Sequence, residues 1–425
     1  MAEVGPKQYL MAAVSTMLIW GLEYYDIILF PTLSSILKAL FFPEESGLVA
    51  AVATWGAFAA TYIARPAGAV IFGHIGDKFG RRAATILDSA AVGLAGLAIG
   101  LLPTYSAIGV AAPIALYALR VIQGLGIGGE AGGGATWALE LTPQRWRPYV
   151  NGLMYSGLSW AVFLASGAAL WASDLFGKSF DIIGWRVLYI LGVAPALIAL
   201  AIRLGGAESP EWLRARAKAP KAPIAALRKY LHNLAVLFAI NLGLTFFFYG
   251  GSGYWTYIMP DVVAPKLGLN ADAAKSLAFE LSMYGGLGAV VGELISGFLV
   301  SALGYRLAFI LPSAALAALS PLATATAFSL SPSATAFSFL MGVFFGLAAA
   351  PQTLYFTTLF PAEVRWTTVS FGWNINAAIA PLGSLASLLL VQGAEPPRLV
   401  SAGSAVMIAS ALLVIAGALI KPKEY

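Results

Sequence analysis

Glu23 and Asp26 stand three residues apart inside "MAAVSTMLIWGLEYYDIILF" (11–30), which carries no other charge. At helical spacing both carboxyls face the same way. Arg120 is just as deep in a second apolar stretch, with Gln123 three residues on. A charge at the centre of a membrane helix costs about 2.5–3.5 kcal/mol, so each needs a partner or a task. A carboxylate beside a guanidinium stays ionised, whereas one stranded in apolar surroundings takes up a proton. A motion that makes and breaks an Asp26–Arg120 pair would therefore bind and release a proton, with Glu23 beside it. The plainer alternative is a permanent ion pair that fixes helix packing. Arg65 and Glu130 form a second candidate pair, each about 15 Å from the nearest charged turn at ~1.5 Å per residue. They read either as a structural pair or, for Arg65 as for Arg120, as a cation for a solute carboxylate. Glu293 has no evident partner in its own half of the chain.

Other polar groups inside apolar sequence suit the orientation of a small solute. Tyr254 and Tyr257 lie in "FFFYGGSGYWTYIMP" (246–260), and Gln352, Asn374 and Asn376 lie further on. Buried amides need hydrogen-bond partners. Tyrosines near a span end also serve as interfacial belt residues, an equal alternative for Tyr254 and Tyr257. Cysteine is absent and the two histidines, His74 and His232, are far apart, so no metal or other cofactor is expected. No nucleophile–base constellation points to an enzyme.

These residues need membrane helices to hold them. The chain is 59% hydrophobic and only 11% charged, with a mean hydropathy of +0.81; soluble domains are about a quarter charged. Twelve apolar windows are long enough to span a bilayer, near 10–33, 48–72, 83–102, 109–138, 150–172, 185–204, 234–258, 278–301, 306–328, 334–358, 367–391 and 399–420. Lys and Arg crowd alternate loops, which places both termini in the cytoplasm and makes the net charge of +5 a topology signal rather than a nucleic-acid footprint. The expected organisation is a six-helix bundle over 1–205, a basic cytoplasmic linker over 206–231 and a second six-helix bundle over 232–425. The halves echo one another. "GHIGDKFGRR" (73–82) follows span two and "GFLVSALGYR" (297–306) follows span eight, with Gly73 and Gly297, Gly80 and Gly304, and Arg82 and Arg306 in register. Ser301 stands where an acid would match Asp77. Such symmetry marks transporters built from two related bundles, with the solute between them.

In the first loop motif, Gly73 and Gly80 permit tight packing while Asp77, Arg81 and Arg82 sit at the cytoplasmic surface, where Asp77 meets Arg81 or a helix N-terminus. Glu140 and Arg147 offer complementary partners after span four. The cluster reads either as positive-inside anchors or as a latch of the kind alternating access requires. "GLGIGGEAGGG" (124–134) resembles a dinucleotide loop only superficially; inside a span it reads as a close-packing face.

"GHIGDKFGRR", "RVIQGLGIGGE" (120–130) and "ESPEWL" (208–213) resemble motifs of the major facilitator superfamily. "EYYD" (23–26), "ARPAGAVIFGHIGDKFGRR" (64–82) and "GWRVLYIL" (184–191) are similar to its metabolite:proton symporter branch. The resemblance implies the major facilitator fold, a cell-membrane location and a monomer. It implies proton-coupled symport of a small organic solute, an organic acid foremost. A sugar or a zwitterion such as betaine or proline, and a passive uniporter of the same fold, are the alternatives. It also implies a gating role for the loop cluster and proton coupling at Asp26 and Arg120. A solute-sensing receptor would call for a long soluble loop, and the segment on offer is the 26-residue linker.

Overall fold

The computed structural model describes residues 5–43, 47–215, 228–253, 258–259, 262–379 and 381–424. These residues are helical almost throughout, and the twelve apolar windows all fall on helix through their described parts. Among the described residues, eight helical stretches are long and apolar enough to cross a membrane by length and composition. One of them, Glu280–Phe328, runs for 49 residues and carries two windows. It is broken at Gly304, whose φ of 74° leaves helical geometry. Gly80, in register with it in the first half, has a φ of 117°. Both chain reversals thus use a backbone conformation that side chains with a Cβ rarely adopt.

The chain forms two compact units. Unit 1 holds Met1–Thr142, Leu164–Ala226 and Ala362–Asn374. Its helices are α1 (Pro6–Thr32), α2 (Ser34–Phe41), α3 (Gly47–Phe79), α4 (Arg81–Leu101), α5 (Tyr105–Ile108), α6 (Ala111–Leu141), the C-terminal part of α7 (Arg147–Phe176), α8 (Trp185–Leu204) and α9 (Pro210–Ala215). Unit 2 holds Pro143–Phe163, Leu227–Pro361 and Ile375–Tyr425. It contains α10 (Leu231–Gly253), α11 (Ala264–Leu267), α12 (Ala271–Phe328), α13 (Ala334–Ala349), α14 (Pro351–Thr358), the end of α15 (Arg365–Ile379), α16 (Pro381–Gly393) and α17 (Leu399–Leu419). Each unit therefore takes in a stretch from the other half of the sequence: α7 begins in unit 2 and ends in unit 1, and α15 does the reverse.

Small residues set how closely the helices approach. On α6, a Cβ at Gly124 would fall on the Thr61 carbonyl of α3, and one at Gly128 on the Arg65 carbonyl. The glycine run is a packing face inside a helix, as its place in an apolar window implies. In unit 2 the corresponding helices repeat the device, with Gly288 and Gly292 of α12 against the Phe339 and Val343 carbonyls of α13. The aromatic core of unit 1 gathers Phe30, Phe41, Trp185 and Tyr189. It closes around the end of α1 that carries Asp26.

Candidate functional site: buried charges in two units

Asp26 and Arg120 meet. Arg120 donates from Nη1 to Asp26 Oδ2 at 2.6 Å and to Gln123 Oε1 at 3.0 Å, and from Nη2 to the Tyr189 hydroxyl at 2.8 Å. Its guanidinium lies over the Phe30 ring, 4.1 Å from the centroid. Both charged side chains are buried, and Asp26 Oδ1 has no hydrogen-bond partner. Three elements hold this pair. α1 presents Asp26, α6 presents Arg120 and Gln123 one turn apart, and α8 presents Tyr189 and accepts the Tyr25 hydroxyl at the Leu188 carbonyl, 3.0 Å away. One oxygen of the carboxylate thus carries the ion pair while the other stays open.

The expected Arg65–Glu130 pair is replaced by two others. Arg65 pairs with Glu23 at 2.6 Å. Glu130 takes two hydrogen bonds from Arg203 at the end of α8, at 2.7 and 2.6 Å. Arg203 also reaches Asp88 Oδ1 at 3.2 Å, the Thr85 carbonyl at 2.9 Å and Ser89 Oγ on α4. The reason is helix facing: α6 turns Glu130 toward α4 and α8, whereas Arg65 on α3 faces α1 and stacks on Tyr62 at 4.4 Å. Arg203 and Asp88 were missed at the sequence level. Each is a charged residue inside an apolar window, the signal that marked Asp26.

The loop motif forms a second polar cluster. Asp77 pairs with Arg81 and accepts from the Thr367 amide at 3.0 Å and hydroxyl at 2.6 Å. Arg81 Nε contacts Glu140 at 3.4 Å, and Arg81 Nη2 donates to the Ala362 carbonyl at 2.7 Å. Arg365, at the start of α15, pairs with Glu140 at 2.9 Å and Glu211 at 2.6 Å. Gly73 packs on Thr367, where a Cβ would come within 3.0 Å, and Arg82 donates to the Leu204 and Arg203 carbonyls. The motif thereby clamps the first half of α15 onto α3 and α6 within unit 1. Within unit 1, Glu140 takes Arg81 and Arg365 as its cations, while Arg147, the partner expected from sequence, opens α7 in unit 2.

Glu208 answers for the bare start of α4. Its carboxylate accepts from the Arg81 amide at 2.9 Å and the Arg82 amide at 3.3 Å, doing the work of an N-cap that Gly80 cannot do. A side chain at Gly80 would collide with it. Burial pushes the Glu208 carboxyl above its ordinary value, against the opposing pull of the Ser209, Arg82 and Arg81 amides.

In unit 2, Glu293 is fully buried and accepts one hydrogen bond, from Ser159 Oγ at 2.8 Å. That partner comes from α7, so it belongs to the other half of the sequence. Gln352 donates to the Tyr155 hydroxyl, and Asn376 donates to the Phe238 carbonyl at 3.2 Å. Asn374 falls in unit 1, where it donates to the Gly128 and Ser370 carbonyls at 2.8 and 2.7 Å. All three amide oxygens lack partners. Tyr254 and Tyr257 lie outside the described residues. Among the described residues no group of His, Cys, Asp and Glu is placed to hold a metal ion.

The profile of the Major Facilitator Superfamily matches residues 9–384. The chain is 30% identical over 382 residues to the inner membrane metabolite transport protein YhjE of Escherichia coli (strain K12), covering 87% of this chain and 85% of that one. It is 34% identical over 192 residues to the shikimate transporter of the same organism, 45% of this chain and 44% of that one. Among solved structures, the proton:xylose symporter XylE bound to 6-bromo-6-deoxy-D-glucose superposes with a TM-score of 0.73 at 17% identity, over 96% of this chain and 95% of that chain. That likeness is one of fold.

Proposed function

Because the chain belongs to the Major Facilitator Superfamily, we propose that it is a proton-coupled symporter of a small carboxylate-bearing metabolite, an organic acid foremost, working by alternating access. It is a multi-pass protein of the cell membrane and a metabolite transporter, not an enzyme.

The observation that carries the reading is the buried Asp26–Arg120 pair at 2.6 Å, with the second Asp26 oxygen unpartnered. Protonating Asp26 neutralises it and leaves Arg120 an uncompensated buried cation, which is costly unless another anion arrives. A solute carboxylate supplies that anion in the bidentate geometry a guanidinium favours. One proton and one carboxylate then enter together, and the site stays electrically neutral. Gln123 and Tyr189 keep the guanidinium aimed while Asp26 changes state. Arg65 remains matched by Glu23, so its role is to hold α3 and α1 together rather than to meet the solute. A betaine or proline also carries a carboxylate and satisfies the same chemistry, whereas a sugar does not.

Alternating access needs an element with two stable arrangements. The Asp77, Arg81, Glu140, Glu211 and Arg365 cluster fits that part, since it pins α15 through charge pairs that water can replace. The test is Asp26→Asn in proteoliposomes. Uphill accumulation of the solute should vanish while exchange of labelled for unlabelled solute persists. Accumulation at the wild-type level removes Asp26 from coupling.

A further inference from the structure

Among the described residues, Glu293 stands apart from the other buried acids. Glu23, Asp26, Asp77, Asp88, Glu130 and Glu140 each share an ion pair with an arginine. Among the described residues, no ion pair includes Glu293. It has one neutral donor, Ser159, and its Oε2 has no partner at all.

Its surroundings are a tight three-helix seam within unit 2. The N-terminal part of α7 lies so close to α12 that a Cβ at Gly152 would fall on the Glu293 carbonyl. One at Gly297 would come within 2.9 Å of Pro148 and Tyr149. From α13, a Cβ at Gly346 would come within 2.8 Å of the Glu293 amide. Pro148, Gly152 and Ser159 therefore share the α7 face that meets α12. Beside them Asn151 donates to the Ala350 carbonyl at 2.6 Å, and the Tyr155 hydroxyl accepts from Gln352.

Few ionisable groups face this seam. α7 contributes Tyr155 and, near its start, Tyr149 and Arg147, whose charge acts on Tyr305, just past the Gly304 break in α12. α13 contributes none, and α14 contributes Tyr355. On α12 itself the nearest acid toward the N-terminus is Glu280, thirteen residues away and so about 20 Å along the helix. A carboxylate sealed from water with one hydroxyl donor has no means of offsetting its lost hydration, and such a group neutralises instead.

We propose that Glu293 is a second proton-binding site, which carries a proton whenever α7 is seated on α12 and gives it up to water when the two helices part. Proton occupancy then biases the position of α7, the helix that begins in unit 2 and ends in unit 1. Protonation strengthens the seat and ionisation weakens it. As a site that helps drive transport, it rests on the symport reading above; as a proton site it does not.

Two measurements test it without a substrate or a gradient. The first is infrared spectroscopy of the protein in lipid vesicles at neutral pH. Wild type should show a carbonyl stretch of a protonated carboxylic acid that Glu293→Gln loses and Asp26→Asn keeps. An unchanged spectrum in Glu293→Gln overturns the proposal. The second exploits the absence of cysteine. Tyr149 and Phe298 have ring centroids 5.0 Å apart across the α7–α12 seam. Tyr149→Cys with Phe298→Cys should cross-link with a short bifunctional thiol reagent, severalfold less at alkaline than at acidic pH. Adding Glu293→Gln should flatten that dependence, whereas equal dependence with and without the change overturns the proposal. Because neither readout involves uptake, a protein that proves to be a uniporter can still pass both.

Discussion

Arg203 faces two carboxylates, Glu130 and Asp88, in a site closed to solvent. One guanidinium cannot balance both if each is ionised. Asp88 is the more weakly held, at 3.2 Å through one oxygen with the other unpartnered, whereas Glu130 is gripped through both. Removing the cation leaves buried acids without a partner, which typically costs about 3–5 kcal/mol. Arg203→Leu should therefore lower the thermal midpoint in detergent sharply, while Asp88→Asn, which alters only the more weakly held acid, should lower it far less. Equal losses would show that both acids are ionised. The contrast with Asp26–Arg120 is instructive. That pair has a single carboxylate per guanidinium, so protonating it frees the arginine.

At the scale of elements, the start of α4 depends on a residue more than a hundred positions away. Glu208 lies on the linker and supplies the oxygens that the first amides of α4 require. Its carboxyl is raised by burial, so the folded state holds the proton more tightly than the unfolded chain does. The sign follows from linkage: its contribution to stability is present at low pH and declines as pH rises from about 4.5 through the higher folded value. Thermal melts of wild type relative to Glu208→Gln should show that decline, and a difference that does not change with pH would remove Glu208 as its source. The reciprocal arrangement was only partly legible in sequence. "GHIGDKFGRR" announced a tight, charged turn, and "ESPEWL" resembled a family motif. That Glu208 caps the helix beginning at Arg81 depends on how the chain folds back after α8, which local spacing does not encode. Glu140 shows the same limit. Arg147, a few residues on in sequence, was the partner to expect, whereas the cation that reaches Glu140 across the fold of unit 1 is Arg365, far along the chain.

For the molecule as a whole, hydrophobic length and Lys/Arg placement were enough to read twelve helical spans, because a bilayer leaves the backbone few alternatives. The half-length repeat was also legible, and it extends to the backbone, where Gly80 and Gly304 both adopt positive φ. The Asp26–Arg120 pair was reachable from depth, since opposite charges at similar depth in apolar helices have every reason to meet. The exchange of segments between units was not legible. It arises where α7 and α15 leave one compact unit and enter the other, and nothing in either helix's own composition marks the crossing point. The most direct measurement is uptake into proteoliposomes under an imposed pH gradient, inside alkaline, across labelled mono- and dicarboxylates, betaine, proline and sugars. The account predicts that one carboxylate-bearing solute accumulates above its outside concentration and that a protonophore collapses the accumulation. Equilibration without accumulation, or accumulation of a sugar alone, would contradict it.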